Sequence, residues 1–272
     1  MSGVSRRTFL GAVTVTAVSA TACSPDETPG ADRGSSSAPP SPAGTATGTP
    51  AAPSPPASTA TPSPAPSSGG APGADLLHGP RSRPAVALTF HGAGDPALTT
   101  RALRIAAEHN AGLTVLAVGS WLADNRRLAT AILDGGHDLG NHTWSHLPMR
   151  QLSRAQAHRE VARAADLLTA LTGSAGSWFR PSGTPRSTAT IRRAAAASGY
   201  DRCLAYDVDP LDYTDPGAAQ VRANVRKAVG QGSIVSLHLG HQGTITALPA
   251  ILDDLAGRGL EAVTVTHLLK GS

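Results

Sequence analysis

The sharpest chemical signal in the chain is Asn141-His142-Thr143-Trp144-Ser145-His146. Two histidines four residues apart would share one face of a helical turn and could hold one metal ion between their ring nitrogens. Asn141 and Ser145 beside them could hold the rings from behind. A histidine pair of this spacing also occurs as two ordinary surface residues, so the pair alone decides little. Further polar groups follow short apolar runs in order along the chain. They are His91 and Asp95, then Arg180, then Asp207, Asp209 and Asp212, then His238 and His241. Imidazoles, carboxylates and one arginine around a metal ion are the parts of a hydrolase. The ion activates water, a base takes its proton and an acid protonates the leaving group.

These groups need a scaffold that gathers them. Pro84–Phe90, Gly112–Val118, Trp178–Arg180, Cys203–Asp207, Ser233–His238 and Ala262–Leu269 read as strands from their apolar runs. Leu98–Asn110, Trp121–Asp134, Ser153–Leu171, Thr188–Ser198, Ala218–Val229 and Ile245–Arg258 carry helical spacing. Ser153 and Gly173 bracket the third of these as cap residues. Asp138–His146 is poor in apolar residues and is given no element. Strands alternating with helices predict a parallel α/β sheet or barrel. In a (β/α) barrel the loops after the strands meet on one face, which brings the polar groups together.

With these motifs placed, the sequence resembles the polysaccharide deacetylase family, the NodB-like carbohydrate esterases. The resemblance spans nearly all of 84–272 and runs in order. It rests on Ala87-Leu88-Thr89-Phe90, Val118–Leu122, Gly136–His146, Phe179-Arg180-Pro181, Asp209–Tyr213, Leu237-His238 and Thr244 with Ala247-Leu248-Pro249. It implies a single-domain, distorted (β/α) barrel of about seven strands. It also implies removal of N- or O-acetyl groups from sugar polymers or, as in some relatives, hydrolysis of small non-sugar amides, with a divalent metal ion, zinc being the expected one. On this resemblance His142 and His146 are metal ligands, and Arg180 positions the catalytic carboxylate. Asp209 or Asp212 tunes the catalytic histidine, and His238 is the general acid. A backbone N–H near Ser182–Gly183 takes the oxyanion.

One motif departs from the pattern. Where the family has Thr-Phe-Asp-Asp-Gly-Pro, this chain has Thr89-Phe90-His91-Gly92-Ala93-Gly94-Asp95-Pro96. His91 takes the place of the base, and Gly92 that of a metal ligand. Three readings compete. His91 joins the metal and Asp95 becomes the base. Alternatively, Asp95 reaches back to the metal through the glycine-rich loop while His91 is the base. In the third, the site is weak or empty and the barrel only binds glycans. Replacement of one functional group by another favours the first two.

The rest of the chain reads as a delivery device. Of its 272 residues and 22 prolines, 24–75 holds 13 prolines and no Ile, Leu, Val, Met or aromatic residue, the composition of a disordered tether. Ser5-Arg6-Arg7-Thr8-Phe9-Leu10 and the mildly apolar stretch behind it read as an export signal over 1–23, of twin-arginine type. Cys23 after Ala20-Thr21-Ala22 is a candidate lipidation site, and its lipid would be the only membrane attachment. Residues 76–272 form the catalytic domain, expected at the outer membrane face, in the cell wall or secreted. Its balance of 20 Lys and Arg against 15 Asp and Glu suits an anionic wall polymer as partner, and the resemblance implies an acetylated glycan. Basic runs with interleaved aromatics are missing, which argues against nucleic acid. Trp144, Tyr213 and His241 are expected to touch substrate with Ser182 and Gly183, whereas Phe90 and Phe179 belong to the core. Cys203 reads as a small buried residue.

Overall fold

The computed structural model describes residues 73–270. The signal, Cys23 and all of the tether up to residue 72 lie outside the described residues. The folded chain is already engaged three residues before position 76. Gly73 N donates to Asp201 O, and Asp75 accepts from Ser187 N.

The centre is β1 (Ala85–Gly92), which pairs in parallel with β2 (Leu113–Ala117) on one side and β4 (Ile234–His238) on the other. Beyond β2 lies β3 (Asp138–Asn141), also parallel, while the two-residue β5 (Glu261–Ala262) pairs with the start of β1. Past β3 the ladder continues as single parallel bridges, Asn141 to Phe179 and Phe179 to Cys203. It returns to β4 through Val208 and Val235. The two segments read as strands at Trp178–Arg180 and Cys203–Asp207 thus close the ring as bridges. Among the described residues the closed, distorted ring has six members, β1, β2, β3, the Phe179 and Cys203 segments and β4, while β5 lies off it against the start of β1.

Strand alternation sorts the side chains. Val86, Leu88 and Phe90 of β1, Leu113, Val115 and Ala117 of β2, and Val235 and Leu237 of β4 join the main core under the outer helices. Ala85 and Ala87, Leu116 and Ile234 form a separate cluster inside the ring. Continuing the inward rows upward gives Thr89 and His91 on β1, and Ser236 and His238 on β4. Apolar burial stabilises the lower barrel, at roughly 1.5–3 kcal/mol per Val, Leu, Ile or Phe side chain. The polar ends of the same rows form its upper rim.

The outer layer holds α1 (Pro96–Glu108), α2 (Gly119–Asp124), α3 (Arg127–Asp134), α4 (Arg154–Thr172), α5 (Ala189–Ala197), α6 (Ala218–Ala228) and α7 (Gln242–Gly257), with a short α8 (Val265–Leu268). Ser153 and Gln156 form a capping box, and Gly173 closes α4 in the left-handed region at φ 79°. Three expectations change. The helix expected over Trp121–Asp134 is broken in two at Asn125, whose side chain caps Trp121 O. The unassigned Asp138–Asn141 is a strand because β2 pairs with it. Gly140 is required there, since a Cβ would lie 2.6 Å from Trp178 O. Ala262–Leu269 leaves the sheet after Ala262. Thr264 caps α8 by accepting from His267 N, and Val265 N donates to Thr114 Oγ1.

Candidate metal centre and active site

His91 sits at the end of β1, in register with His238 of β4. Their ring centroids are 4.2 Å apart, and His142 lies 4.3 Å from His91 on its other side. His91, His142 and His146 each present a ring nitrogen, and the three atoms lie within 4.8 Å of one another. Two of these rings hold a nitrogen with nothing to bind. His91 Nδ1 and His142 Nε2 are buried and have no hydrogen-bond partner. Their opposite nitrogens are engaged, His142 Nδ1 by Arg180 O at 2.9 Å and His91 Nε2 by Ser236 Oγ at 3.0 Å. A buried orphan nitrogen is costly unless something fills the place it faces. Rings fixed through one nitrogen and free at the other are the donor set a divalent ion requires.

The electrostatics agree. Burial holds His91 and His142 well below the usual imidazole range. His142 depresses His91 further, and His146 depresses His142. Burial and His238 also lower His146. All three are neutral at pH 7, the state in which imidazole binds metal. A cation at His91 Nδ1 would need the proton on Nε2, where it is donated to Ser236. Arg180 Nη1, 3.3 Å from that nitrogen, pulls towards the opposite tautomer.

The pair expected on a helical turn is on a loop instead. His142 leaves β3, and Thr143 and His146 take positive φ of 68° and 56°. The turn is held by its backbone. His142 N donates to Ala117 O, Gly119 N to Thr143 O and Ser120 N to Trp144 O. Among the described residues Asn141 and Ser145 make no hydrogen bond to the rings. The Asn141 side chain accepts from Thr143 N and donates to Val161 O, and Ser145 is bound by Glu160 of α4.

Opposite the trio stands a second unit. Asp212, buried in a short turn, accepts from His238 Nδ1 and His238 N, each at 2.8 Å. It also accepts from Thr244 Oγ1 at 2.7 Å. That arrangement selects Asp212 rather than Asp209 as the partner of His238. Its remaining nitrogen, Nε2, is then free to exchange a proton with a substrate. Arg180 is fully buried and donates to Leu204 O and Ala205 O. Among the described residues no carboxylate pairs with it. Burial pushes it down to about 9.

An open cleft of about 300 Å³ joins the parts, lined by His91, His146, Gly183, Asp209, Tyr213 and His238, among others. Asp95 is not part of it. Its exposed carboxylate caps α1 by accepting from Ala97 N at 2.9 Å, because Pro96 starts the helix there and the cap needs an acceptor. Both readings that gave Asp95 a role, as ligand or as base, are corrected by this placement. Trp144 packs under the Arg163 guanidinium, 3.7 Å from its ring centroid, away from the cleft. Ser182 is buried, its hydroxyl between Thr143 and Leu147 O. Gly183 reaches the cleft at φ 64°. Tyr213 edges onto His238 at 5.5 Å, whereas His241 pairs with Asp215 at 2.8 Å and does not line the cleft. Cys203 is buried, which pushes its thiol up to about 12. Ser236, Thr244 and the Arg180 carbonyl join the site without a catalytic motif of their own in the sequence. Ser236 was visible as a polar residue two before His238 in an apolar strand.

Similarity to known proteins agrees with this geometry. The pattern of the polysaccharide deacetylase family matches residues 78–203. A peptidoglycan-N-acetylglucosamine deacetylase of Bacillus cereus is 30% identical over 201 residues, 70% of this chain and 91% of that protein. A chitooligosaccharide deacetylase of Rhizobium leguminosarum is 28% identical, over 71% of this chain and 92% of that protein. Among solved structures, a CE4 family pseudoenzyme from Bacillus anthracis aligns with a TM-score of 0.68 at 25% identity, covering 72% of this chain and 69% of that one. The chain therefore belongs to the polysaccharide deacetylase family, hydrolases of non-peptide carbon–nitrogen bonds.

Proposed function

We propose that this chain is an exported, metal-dependent deacetylase of an N-acetylated cell-wall glycan. The observation that carries the proposal is the trio His91, His142 and His146, with two buried nitrogens unsatisfied and the His238–Asp212 pair across the cleft. Three imidazoles suit zinc. A bound divalent ion would supply a Lewis acid that polarises the acetyl carbonyl and lowers the pKa of water. The chain's own groups do the rest. His238 gives a proton to the departing amine, and Asp212 holds its ring and stabilises the imidazolium. In this reading a backbone N–H at Gly183, which lines the cleft, takes the oxyanion, and Tyr213 at the same cleft stacks on a sugar. The names of the Bacillus cereus and Rhizobium relatives support N-acetylglucosamine polymers as substrate class. The paired arginines Arg6 and Arg7 with Phe9-Leu10 behind them support export.

The test is acetate release from an N-acetylglucosamine oligomer by the zinc-loaded chain. Release that stops on chelation supports the proposal, and zinc binding without release refutes it. A second reading follows from the His91 and Gly92 substitutions and from likeness to a pseudoenzyme. In that reading the cleft retains the oligomer and never cleaves it.

A further inference from the structure

Recruitment of His91 to the trio leaves the reaction without the carboxylate that would accept the proton of water. We propose that Asp209 supplies it, from the opposite wall of the barrel. This inference rests on the deacetylase reading and names a catalytic residue for it.

The argument is by position and by engagement. Asp95 is turned away and caps α1. Asp212 is buried, and its two oxygens already accept three hydrogen bonds. Asp207 is held by Arg81, Ser233 and Ile234 N, and Asp215 by His241. Glu160 anchors the His142–His146 loop through Ser145. Asp209 is the carboxylate left, and it lines the cleft into which His91, His146 and His238 open. One of its oxygens accepts from Leu211 N at 3.0 Å, while Oδ2 has no hydrogen-bond partner among the described residues. Its backbone is fixed on both sides. Val208 bridges to β4, and Pro210 is followed by Leu211 in the left-handed region at φ 56°. Asp209, an exposed carboxylate on a fixed turn that lines the cleft, with one oxygen anchored and the other without a hydrogen bond among the described residues, can act as a general base.

The step balances without further reactants. Water gives one proton to Asp209 as its oxygen bonds to the acetyl carbon. The carbon–nitrogen bond breaks, and the nitrogen takes a proton from the His238 imidazolium. Acetic acid and the amine leave, with the Asp209 proton passing to solvent or back to His238.

The experiment compares wild type, Asp209→Asn, Asp209→Glu and Asp209→Ala in the zinc-loaded full chain. It measures acetate release from an N-acetylglucosamine oligomer, bound zinc, and affinity for the oligomer. Asp209→Asn, which keeps an oxygen for Leu211 N, should lose ~10²-fold or more in rate, the size of a general-base effect, with zinc and affinity unchanged. Asp209→Glu should retain part of the rate, and added formate should restore part of it in Asp209→Ala. Hydrolysis by Asp209→Asn within ~3-fold of wild type, too little for a lost base, would overturn the assignment and leave the deacetylase reading intact. Loss of zinc or of oligomer binding in Asp209→Asn would overturn it too, by showing a structural role. A zinc-loaded wild type that releases no acetate would defeat the deacetylase reading and the base with it.

Discussion

Thr244→Val is the substitution whose effect the geometry defines most closely. The hydroxyl is fully buried, sits near the start of α7 and donates to Asp212 Oδ2 at 2.7 Å. Valine has nearly the same shape, so packing is kept and one hydrogen bond to a buried carboxylate is lost. Hydrogen bonds to charged groups contribute about 1.5–3 kcal/mol. Oδ2 still accepts from His238 N, so the lower end applies. A destabilisation of about 1.5 kcal/mol in a domain of this size lowers Tm by about 3–6 °C. Asp212 also holds Nδ1 of His238, so without the Thr244 bond the carboxylate, and the ring it orients, are less firmly positioned. We expect kcat to fall by about 10-fold, the equivalent of 1.4 kcal/mol, with KM little changed. Thr244→Ser, which retains the donor, should recover most of the rate. Thermal unfolding and steady-state deacetylation of an N-acetylglucosamine oligomer read both effects. If Thr244→Val lowers Tm but leaves kcat untouched, or if Ser and Val behave alike, the hydroxyl only packs.

Acid should destabilise the metal-free chain in a defined window. Folded His91 and His142 lie below the ordinary imidazole value, so both must shed protons to fold. Stability is then complete above about pH 6.5 and falls below it, by up to about 1.4 kcal/mol per pH unit for each histidine. Urea unfolding at pH 7.5 and 5.5 measures this, and zinc should shift the loss to lower pH. Asp95→Ala should cost about 1 kcal/mol through the lost α1 cap and leave zinc content and deacetylation unchanged. Loss of metal in that variant would return Asp95 to the ligand set.

The sequence was most legible where a pattern is local. Ser153 and Gly173 marked the ends of α4, and the apolar runs marked β1, β2 and β4, because caps and buried strands depend on near neighbours. His142 and His146 stand out by spacing, yet the segment that carries them is a loop rather than a helical turn. That loop is held at His142, Thr143 and Trp144 by backbone bonds to β2 and α2, partners far away in sequence. β3 was invisible because Asp138, Gly140 and Asn141 have poor strand propensity, and pairing with β2 overrides it. The choice between His91 and Asp95 could not be read from spacing. It depends on which side chain a helix cap claims and which one the strand alternation turns inward. Ser236 and Thr244 act only through contacts across the barrel.

The most direct test of the account is the zinc content of the purified full chain and of His91→Ala, His142→Ala and His146→Ala, after loading and removal of free metal. The account predicts one tightly held ion per wild-type chain and strongly reduced content in all three variants. Wild type without bound zinc, or a His91→Ala variant that keeps its full ion, would contradict it.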